Sequence, residues 1–120
     1  MRVLMKYVPD DKGPPSPERL AAIEKFTEEM YKAGVVLDSG GILPLSQGAL
    51  VKQVNGKFTI TDGPFPETKE LIVGYAISQV KNKEEAIEMS RRFMAVAGDG
   101  VGQLQQLFGA NDGPPPPHSK

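Results

Sequence analysis

The stretch "LIVGYAISQV", residues Leu71 to Val80, decides the fold of this chain. It is apolar at nearly every position, and strands with apolar residues on both faces are typical of the interior of a sheet. The stretch "RVLMKYV", Arg2 to Val8, is apolar on both faces in the same way and ends at Pro9. Together they predict two interior strands around which the rest of the domain is built.

A first helix is predicted between these two strands. Ser16 is a favoured N-cap residue, Pro17 is favoured at the first helical position, and Gly34 suits the left-handed conformation that ends a helix. An apolar stripe at three- and four-residue spacing runs between them, formed by Leu20, Ile23, Phe26, Met30 and Tyr31. Core packing is the expected role of this stripe, with a cofactor site as the less favoured interpretation.

A second helix is predicted after the Leu71–Val80 strand. Asn82 followed by Glu85 three residues later matches a capping box. The apolar face of this helix is formed by Ala86, Met89, Phe93, Met94 and Ala97. Glu88 stands four residues before Arg92, a spacing that predicts a surface ion pair.

The remaining segments complete the plan of the fold. Val35 to Leu45 predicts a strand in which Gly40 and Gly41 mark a bulge or a close backbone approach. Asn55-Gly56 predicts a hairpin between "ALVKQV" and "KFTIT", and "VGQLQQLF" predicts the last strand. The order is βαββαβ with an inserted hairpin, a ferredoxin-like α+β fold whose antiparallel sheet is covered by two helices. A second copy is expected to cover the free sheet face, giving a homodimer packed sheet to sheet.

Composition narrows the range of functions. The 120 residues include 14 basic and 15 acidic side chains, a net charge of -1 without a basic stripe, so no nucleic-acid partner is expected. The lack of cysteine excludes disulfides, thiolate nucleophiles and cysteine-ligated metals, and neither a metal site nor a cofactor is expected. No apolar run is long enough for a signal peptide or a membrane span, which predicts a cytoplasmic protein without a membrane partner.

The segment "TDGPFPETKE", Thr61 to Glu70, carries a family resemblance. Its part "DGPFPETKE" resembles the signature DGPFAETKE of the DGPF family of YCII-related proteins, with Pro66 in place of alanine. The stretches "FTEEMYKAGVVLDSGGILPL" and "KELIVGYAISQVKNKEEAIE" are similar to neighbouring parts of that family. The resemblance covers about residues 1–109 as one domain and leaves 110–120 as a proline-rich flexible tail. It implies the dimeric α+β barrel superfamily, in agreement with the fold predicted above.

The resemblance implies less about activity. Most family members have no assigned activity, and some relatives are lyase-like or dehalogenating enzymes with a His–Asp pair between the sheet and the dimer partner. The histidine of this chain, His118, lies in the proline-rich tail and does not match that pair. The resemblance thus implies a protein of unassigned activity that binds a small molecule in this cleft, non-catalytic or regulatory. The alternative is a small-molecule enzyme of isomerase, lyase or hydrolase type that uses carboxylate and lysine acid–base chemistry.

Three side chains in and beside this motif are the candidates for such chemistry. If strand pairing begins near Thr68, then Asp62, Glu67 and Lys69 converge at one end of the sheet. Asp62 or Glu67 would act as the acid or base, and Lys69 would hold an anionic group. The structural alternative is that Asp62 forms an Asx-turn while Glu67, Lys69 and Glu70 form surface ion pairs.

Aromatic residues are the candidates for substrate binding. Tyr7 and Tyr75 lie on strands that are expected to be neighbours, where they could line a pocket together with Tyr31. Phe65 is the aromatic candidate within the motif, and its structural alternative is a plug in the core. The structural alternative for the tyrosines is an ordinary hydrogen bond from each hydroxyl group.

Overall fold

The computed structural model of this protein describes residues 1–11, 13–62 and 71–118. Two helices, six strands and a short 3-10 turn at Leu45–Gln47 make up the regular structure of these residues. The bounds are β1 Arg2–Pro9, α1 Pro17–Lys32, β2 Val36–Gly41, β3 Ala49–Val54, β4 Lys57–Asp62, β5 Gly74–Gln79, α2 Lys83–Ala97 and β6 Gly100–Gln106. Within the described ranges, neither helix combines the length and the hydropathy needed to cross a membrane.

Four of the strands form one antiparallel sheet in the order β2-β5-β1-β6. Both β1 and β5 lie between two other strands, which confirms the interior positions predicted from their apolar patterns. The two helices pack on this sheet and on each other. The ferredoxin-like α+β fold is therefore confirmed, with β3 and β4 as the inserted hairpin in a separate two-stranded sheet.

The helices cover one face of the sheet and leave the other face open. Along β1, Val3 is buried in the core and Tyr7 contacts Phe93 of α2, so these side chains point to the helices. Because side chains alternate along a strand, Lys6 points to the opposite, open face. The core between helices and sheet is small, and its buried members are Val3, Met30, Val36, Val80, Ala86 and Met89.

The helix ends and the hairpin turn follow the sequence signals. The side chain of Ser16 accepts a hydrogen bond from the backbone N–H of Arg19 at 3.1 Å, and that of Asn82 accepts one from Glu85 at 2.8 Å. After α1, Gly34 has a φ of 76°, which only glycine adopts without strain. The hairpin turn has positive φ at both Asn55 and Gly56, as a two-residue primed turn requires.

The strand boundaries differ from the predicted ones where backbone pairing changes. Regular pairing of β5 starts at Gly74, so Leu71 to Val73 precede the strand although they were predicted as part of it. The strand β2 stops at Gly41, and its register shifts between Val36 and Asp38, before the two glycines that were expected to mark the irregularity. The close approach expected at the glycines is present, since the Tyr75 ring lies against Gly40.

The surface ion pair predicted on α2 is wrong. Glu88 pairs with Arg91 at 3.5 Å, one residue earlier than expected. The guanidinium of Arg92 lies instead over the ring of Phe26 in α1, 5.5 Å from its centroid. A cation held over an aromatic face is attracted by the ring, so the neighbouring helix competes successfully for Arg92.

Candidate functional site

The structure places only one of the three predicted catalytic residues. Asp62 is the last residue of β4, exposed and paired with Ala49 across the hairpin. Glu67 and Lys69 lie outside the described residues, as does the predicted substrate-binding residue Phe65. The expected convergence of Asp62, Glu67 and Lys69, and the Asx-turn after Asp62, therefore stay predictions.

Tyr7 and Tyr75 lie on neighbouring strands, as expected, but on different faces of the sheet. The register pairs Tyr7 with Gly74 and pairs Tyr75 with Lys6, so Tyr75 shares the open face with Lys6. Tyr7 points towards the helices, and its hydroxyl donates a hydrogen bond to the carbonyl of Gly98 at 2.8 Å. The third tyrosine, Tyr31, extends from α1 to the sheet edge. All three tyrosines nevertheless border the cavity described next.

A cavity of about 640 Å³ lies between the helices and the sheet. Its walls are mainly apolar and aromatic, with Tyr7, Phe26, Tyr31, Phe93 and Met94 among them. Its floor is open because small residues occupy the helix-facing positions of the sheet. Gly74 and Gly102 flank Tyr7 on its two neighbouring strands, and Ala76 lies opposite Met5.

Polar groups gather at the edge strand β2, where the cavity meets solvent. The hydroxyl groups of Tyr31 and Ser39 are 2.8 Å apart. The Asp38 carboxylate accepts the backbone N–H of Ser39 at 3.0 Å on Oδ1 and the hydroxyl of Tyr75 at 3.0 Å on Oδ2. This edge network therefore connects Tyr31 on the helix side with Tyr75 on the open side through two consecutive residues of β2.

Asp38 was not among the predicted catalytic or substrate-binding residues. Its side chain reaches Tyr75 because the register shift before Asp38 places it beside Ile77 on the face that also carries Tyr75. The two residues are 37 positions apart in the chain, and a bulge displaces one of them. The polar segment "DSGG" between apolar residues is the sequence signal for an irregular strand, but it does not name the partner.

The environment raises the pKa of both sheet tyrosines. Burial, with a partly opposing effect of Arg19, raises the pKa of the Tyr7 hydroxyl. The hydrogen bond to Asp38 raises the pKa of Tyr75, because the neutral hydroxyl can donate this bond and the tyrosinate cannot. Both hydroxyls are therefore held in their neutral, hydrogen-bond-donating form to higher pH than an ordinary tyrosine.

Replacing Asp38 with asparagine is expected to lower the pKa of Tyr75, because the charged acceptor of its hydrogen bond, which also repels the tyrosinate, is replaced by a neutral amide. The pKa of Tyr75 is higher in the folded protein than its unfolded value of about 10. The hydrogen bond to Asp38 therefore stabilises the wild-type fold below about pH 10, and this stabilisation is lost as pH rises through the folded pKa. The pKa values of the tyrosines are measured from tyrosinate absorbance in an alkaline titration. The titration step that is missing in the Tyr75→Phe variant belongs to Tyr75. An unchanged titration of Tyr75 in Asp38→Asn would contradict the assignment.

Metal ligands do not cluster in the part of the chain that the structure describes. No group of three or more His, Cys, Asp or Glu side chains there is placed to hold one ion. The chemistry of the described site is therefore that of an apolar cavity with the hydroxyl groups of Tyr31 and Ser39 at its edge and the Tyr75–Asp38 pair on the other face of the sheet.

Comparison with known proteins identifies the family of the chain. The sequence profile of the YCII-related domain matches residues 1–105. The chain is also 29% identical over 72 residues to "Uncharacterized protein R00369" of Rhizobium meliloti (strain 1021), an alignment that covers 60% of this chain. It spans just over half, 56%, of the length of that relative. With nearly its whole length matched by the profile, the chain belongs to the YCII-related domain family.

Proposed function

We propose that this protein binds a small, largely apolar molecule in the cavity between its helices and its sheet, in a non-catalytic or regulatory role. The cavity itself carries the proposal. Protein interiors are close-packed and keep few voids larger than a water molecule, whereas ligand pockets have volumes of roughly 300–1,000 Å³. A space of about 640 Å³ under two helices of a small domain fits the second class.

The arrangement of side chains suggests how a ligand would lie. Tyr7, Phe26 and Phe93 offer aromatic surface in the interior, and the small residues of the floor allow a planar group to approach the sheet. Hydroxyl groups of Tyr31 and Ser39 at the β2 edge can donate or accept hydrogen bonds. We therefore expect the apolar part of the ligand inside the cavity and its polar group at this edge.

The proposed pocket lies on the helix side of the sheet, whereas the resemblance implied a cleft between the sheet and a dimer partner. The helix side is favoured because the described residues already line a cavity there. Membership of the DGPF group and a homodimer of the dimeric α+β barrel type are further parts of the proposal. Their support is the matched YCII-related domain and the open face of the sheet.

A small-molecule enzyme is the second candidate function. The observation that favours it is the hydrogen bond from Tyr75 to Asp38, a donor and a carboxylate in direct contact on the open face of the sheet, with Tyr75 also bordering the cavity. Such a pair could pass a proton to or from a bound molecule. Turnover that is lost in both Tyr75→Phe and Asp38→Asn, with binding retained, would support the enzyme over the binding protein.

Filling the cavity is expected to abolish binding. The probe is anilinonaphthalene sulfonate, an apolar aromatic anion whose fluorescence rises when it enters an apolar pocket. Ala76→Leu places a larger side chain on the cavity floor and is expected to weaken probe binding about tenfold or more, equivalent to about 1.4 kcal/mol. The matched control is Ala95→Leu, the same substitution at an exposed position of α2 that does not line the cavity. Equal binding by both variants would contradict the proposed pocket, provided that circular dichroism shows both to be folded.

A further inference from the structure

A buried serine lies at the inner wall of the cavity. Ser78 of β5 is 1% exposed, and within the ranges 1–11, 13–62 and 71–118 it is the only buried polar residue. Its neighbours across the sheet are Val3 on β1 and Val36 on β2, which are both buried. Ser78 also lines the cavity. The sheet thus places one hydroxyl group between two valines, beside a space that is large enough for a ligand.

The hydroxyl group of Ser78 has only a weak partner. Among the described residues, its acceptor is the thioether sulfur of Met5 at 3.6 Å. A thioether sulfur accepts hydrogen bonds weakly, whereas hydroxyl groups ordinarily donate to oxygen at about 2.7 Å. A buried hydroxyl group without a strong acceptor costs folding free energy, because it has given up its hydrogen bonds to water. Ser78 therefore retains the capacity to donate a stronger hydrogen bond.

Met5 is a side chain that can make room for a better acceptor. It lies on the same face of β1 as Val3, is only partly buried, and lines the cavity together with Ser78. Methionine is unbranched and has three rotatable side-chain bonds, so its thioether adapts to changes in its surroundings at low cost. An oxygen atom of a bound ligand can then take the place of the Met5 sulfur at the Ser78 hydroxyl group.

The surroundings of Ser78 select the charge of this acceptor. Among the described residues, the charged side chains that border the cavity lie on the exposed surface of α1 or on the open face of the sheet, namely Glu24, Glu28, Lys32 and Lys6. An anionic group beside Ser78 would therefore lose its hydration without gaining a cation, which is a costly transfer. An uncharged carbonyl oxygen accepts the same hydrogen bond and loses far less hydration free energy. The site favours a neutral acceptor.

We propose that Ser78 is a ligand-binding residue, which donates a hydrogen bond to an uncharged carbonyl oxygen in place of the Met5 sulfur. This role rests on the proposed function, since it requires the cavity to bind a ligand, and it adds the chemical class of that ligand. Ser39 pairs with Ala76, so its Cα atom lies about 8 Å from that of Ser78, one strand across and two residues along. The ligand is thus a small ketone, aldehyde or ester with its carbonyl group at Ser78 and a second polar group at the edge formed by Tyr31 and Ser39.

Binding of a fluorescent ketone tests the role of Ser78. The probe is prodan, an uncharged naphthalene with a propionyl group, whose emission moves to longer wavelength when its carbonyl group accepts a hydrogen bond. Ser78→Ala is expected to raise the dissociation constant of prodan about fivefold, the effect of one ordinary hydrogen bond. The emission of the bound probe is expected to move to shorter wavelength in this variant. Equal affinity and equal emission for wild type and Ser78→Ala would overturn the role of Ser78.

Two controls distinguish this role from the existence of the pocket. Ser90 of α2 also borders the cavity but is only partly buried, so water can accept its hydrogen bond, and Ser90→Ala is expected to change prodan affinity by no more than about twofold. Anilinonaphthalene sulfonate has no carbonyl group and is expected to bind wild type and Ser78→Ala alike. If wild type bound neither probe, the proposed pocket itself would be wrong. If it bound anilinonaphthalene sulfonate but not prodan, only the role of Ser78 would be wrong.

Thermal unfolding without a ligand gives an independent measurement. Ser78→Ala removes a buried hydroxyl group that has only a sulfur partner, so the melting temperature of the variant is expected to equal or exceed that of wild type. A melting temperature lowered by about 5 °C or more would show that the hydroxyl group is already well satisfied in the free protein. That result would overturn the proposal, because a ligand would then gain little from replacing Met5.

Discussion

Gly100→Ala is expected to destabilise the protein by about 3 kcal/mol, at the upper end of the cost of overpacking. A Cβ atom at this position would stand 2.3 Å from the carbonyl oxygen of Val8 and 2.9 Å from the Cα atom of Pro9. Both atoms belong to the backbone of β1, which pairs with β6 at Val8 and Pro9 and cannot move aside there without breaking these pairs. Such a loss is a large part of the 5–15 kcal/mol that typically stabilises a domain, as urea unfolding at fixed protein concentration would show.

Gly41→Ala is the matched control for this experiment. Gly41 also lies at the end of a strand, but the nearest atom to an added Cβ there is the carbonyl oxygen of Val73 at 3.8 Å, an ordinary contact. The alanine is therefore expected to change the free energy of unfolding by less than about 1 kcal/mol, in either direction. Equal unfolding midpoints for the two variants would show that β1 yields to the added methyl group.

Phe93→Ala is expected to cost about 3 kcal/mol of folding free energy, at the lower end of the range for removing an aromatic ring from a core. The Phe93 ring meets the Tyr7 ring edge-on at 5.3 Å and the Phe26 ring at 6.3 Å. It therefore joins α2 both to the central strand and to α1. The lower end of the range is expected because Phe93 also borders the cavity and is only half-buried.

Two further variants show whether the loss of stability in Phe93→Ala comes from the loss of buried apolar volume. Phe93→Leu keeps most of the apolar volume and is expected to lose about 1 kcal/mol. Phe108→Ala removes the same ring from a residue that is 55% exposed, and a change within about 0.5 kcal/mol is expected there. If Phe93→Ala were no more destabilising than Phe108→Ala, the aromatic cluster would not hold the helices to the sheet.

Local signals in the sequence were sufficient for most of the fold. The caps at Ser16 and Asn82 and the turn at Asn55-Gly56 were identified correctly because each depends on bonds or dihedral angles within a few residues. The interior positions of β1 and β5 followed from apolar residues on both faces of each strand. The fold class then follows from the order of these elements, since few arrangements bury all of the apolar faces.

The pairing register of the strands could not be predicted from the sequence, and the positions of the site residues depend on it. Tyr7 and Tyr75 were placed on adjacent strands, but only the register shows that they point to opposite faces. A shift of a single residue would have reversed that result. The contact of Arg92 with Phe26 could not be predicted from the sequence either. The spacing along α2 indicates Glu88 on the same helix as the partner of Arg92, and only helix packing brings Phe26 of α1 within reach.

The sequence by itself thus determined the elements, their order and the YCII-related family, because these depend on short-range chemistry and on apolar patterns along the chain. Only the tertiary structure decided the cavity and the edge network. The floor of the cavity needs Gly74, Ala76 and Gly102 side by side, and the network needs Asp38 beside Tyr75. These residues are far apart in the chain, and their contacts exist because strand pairing and the bulge in β2 bring them together.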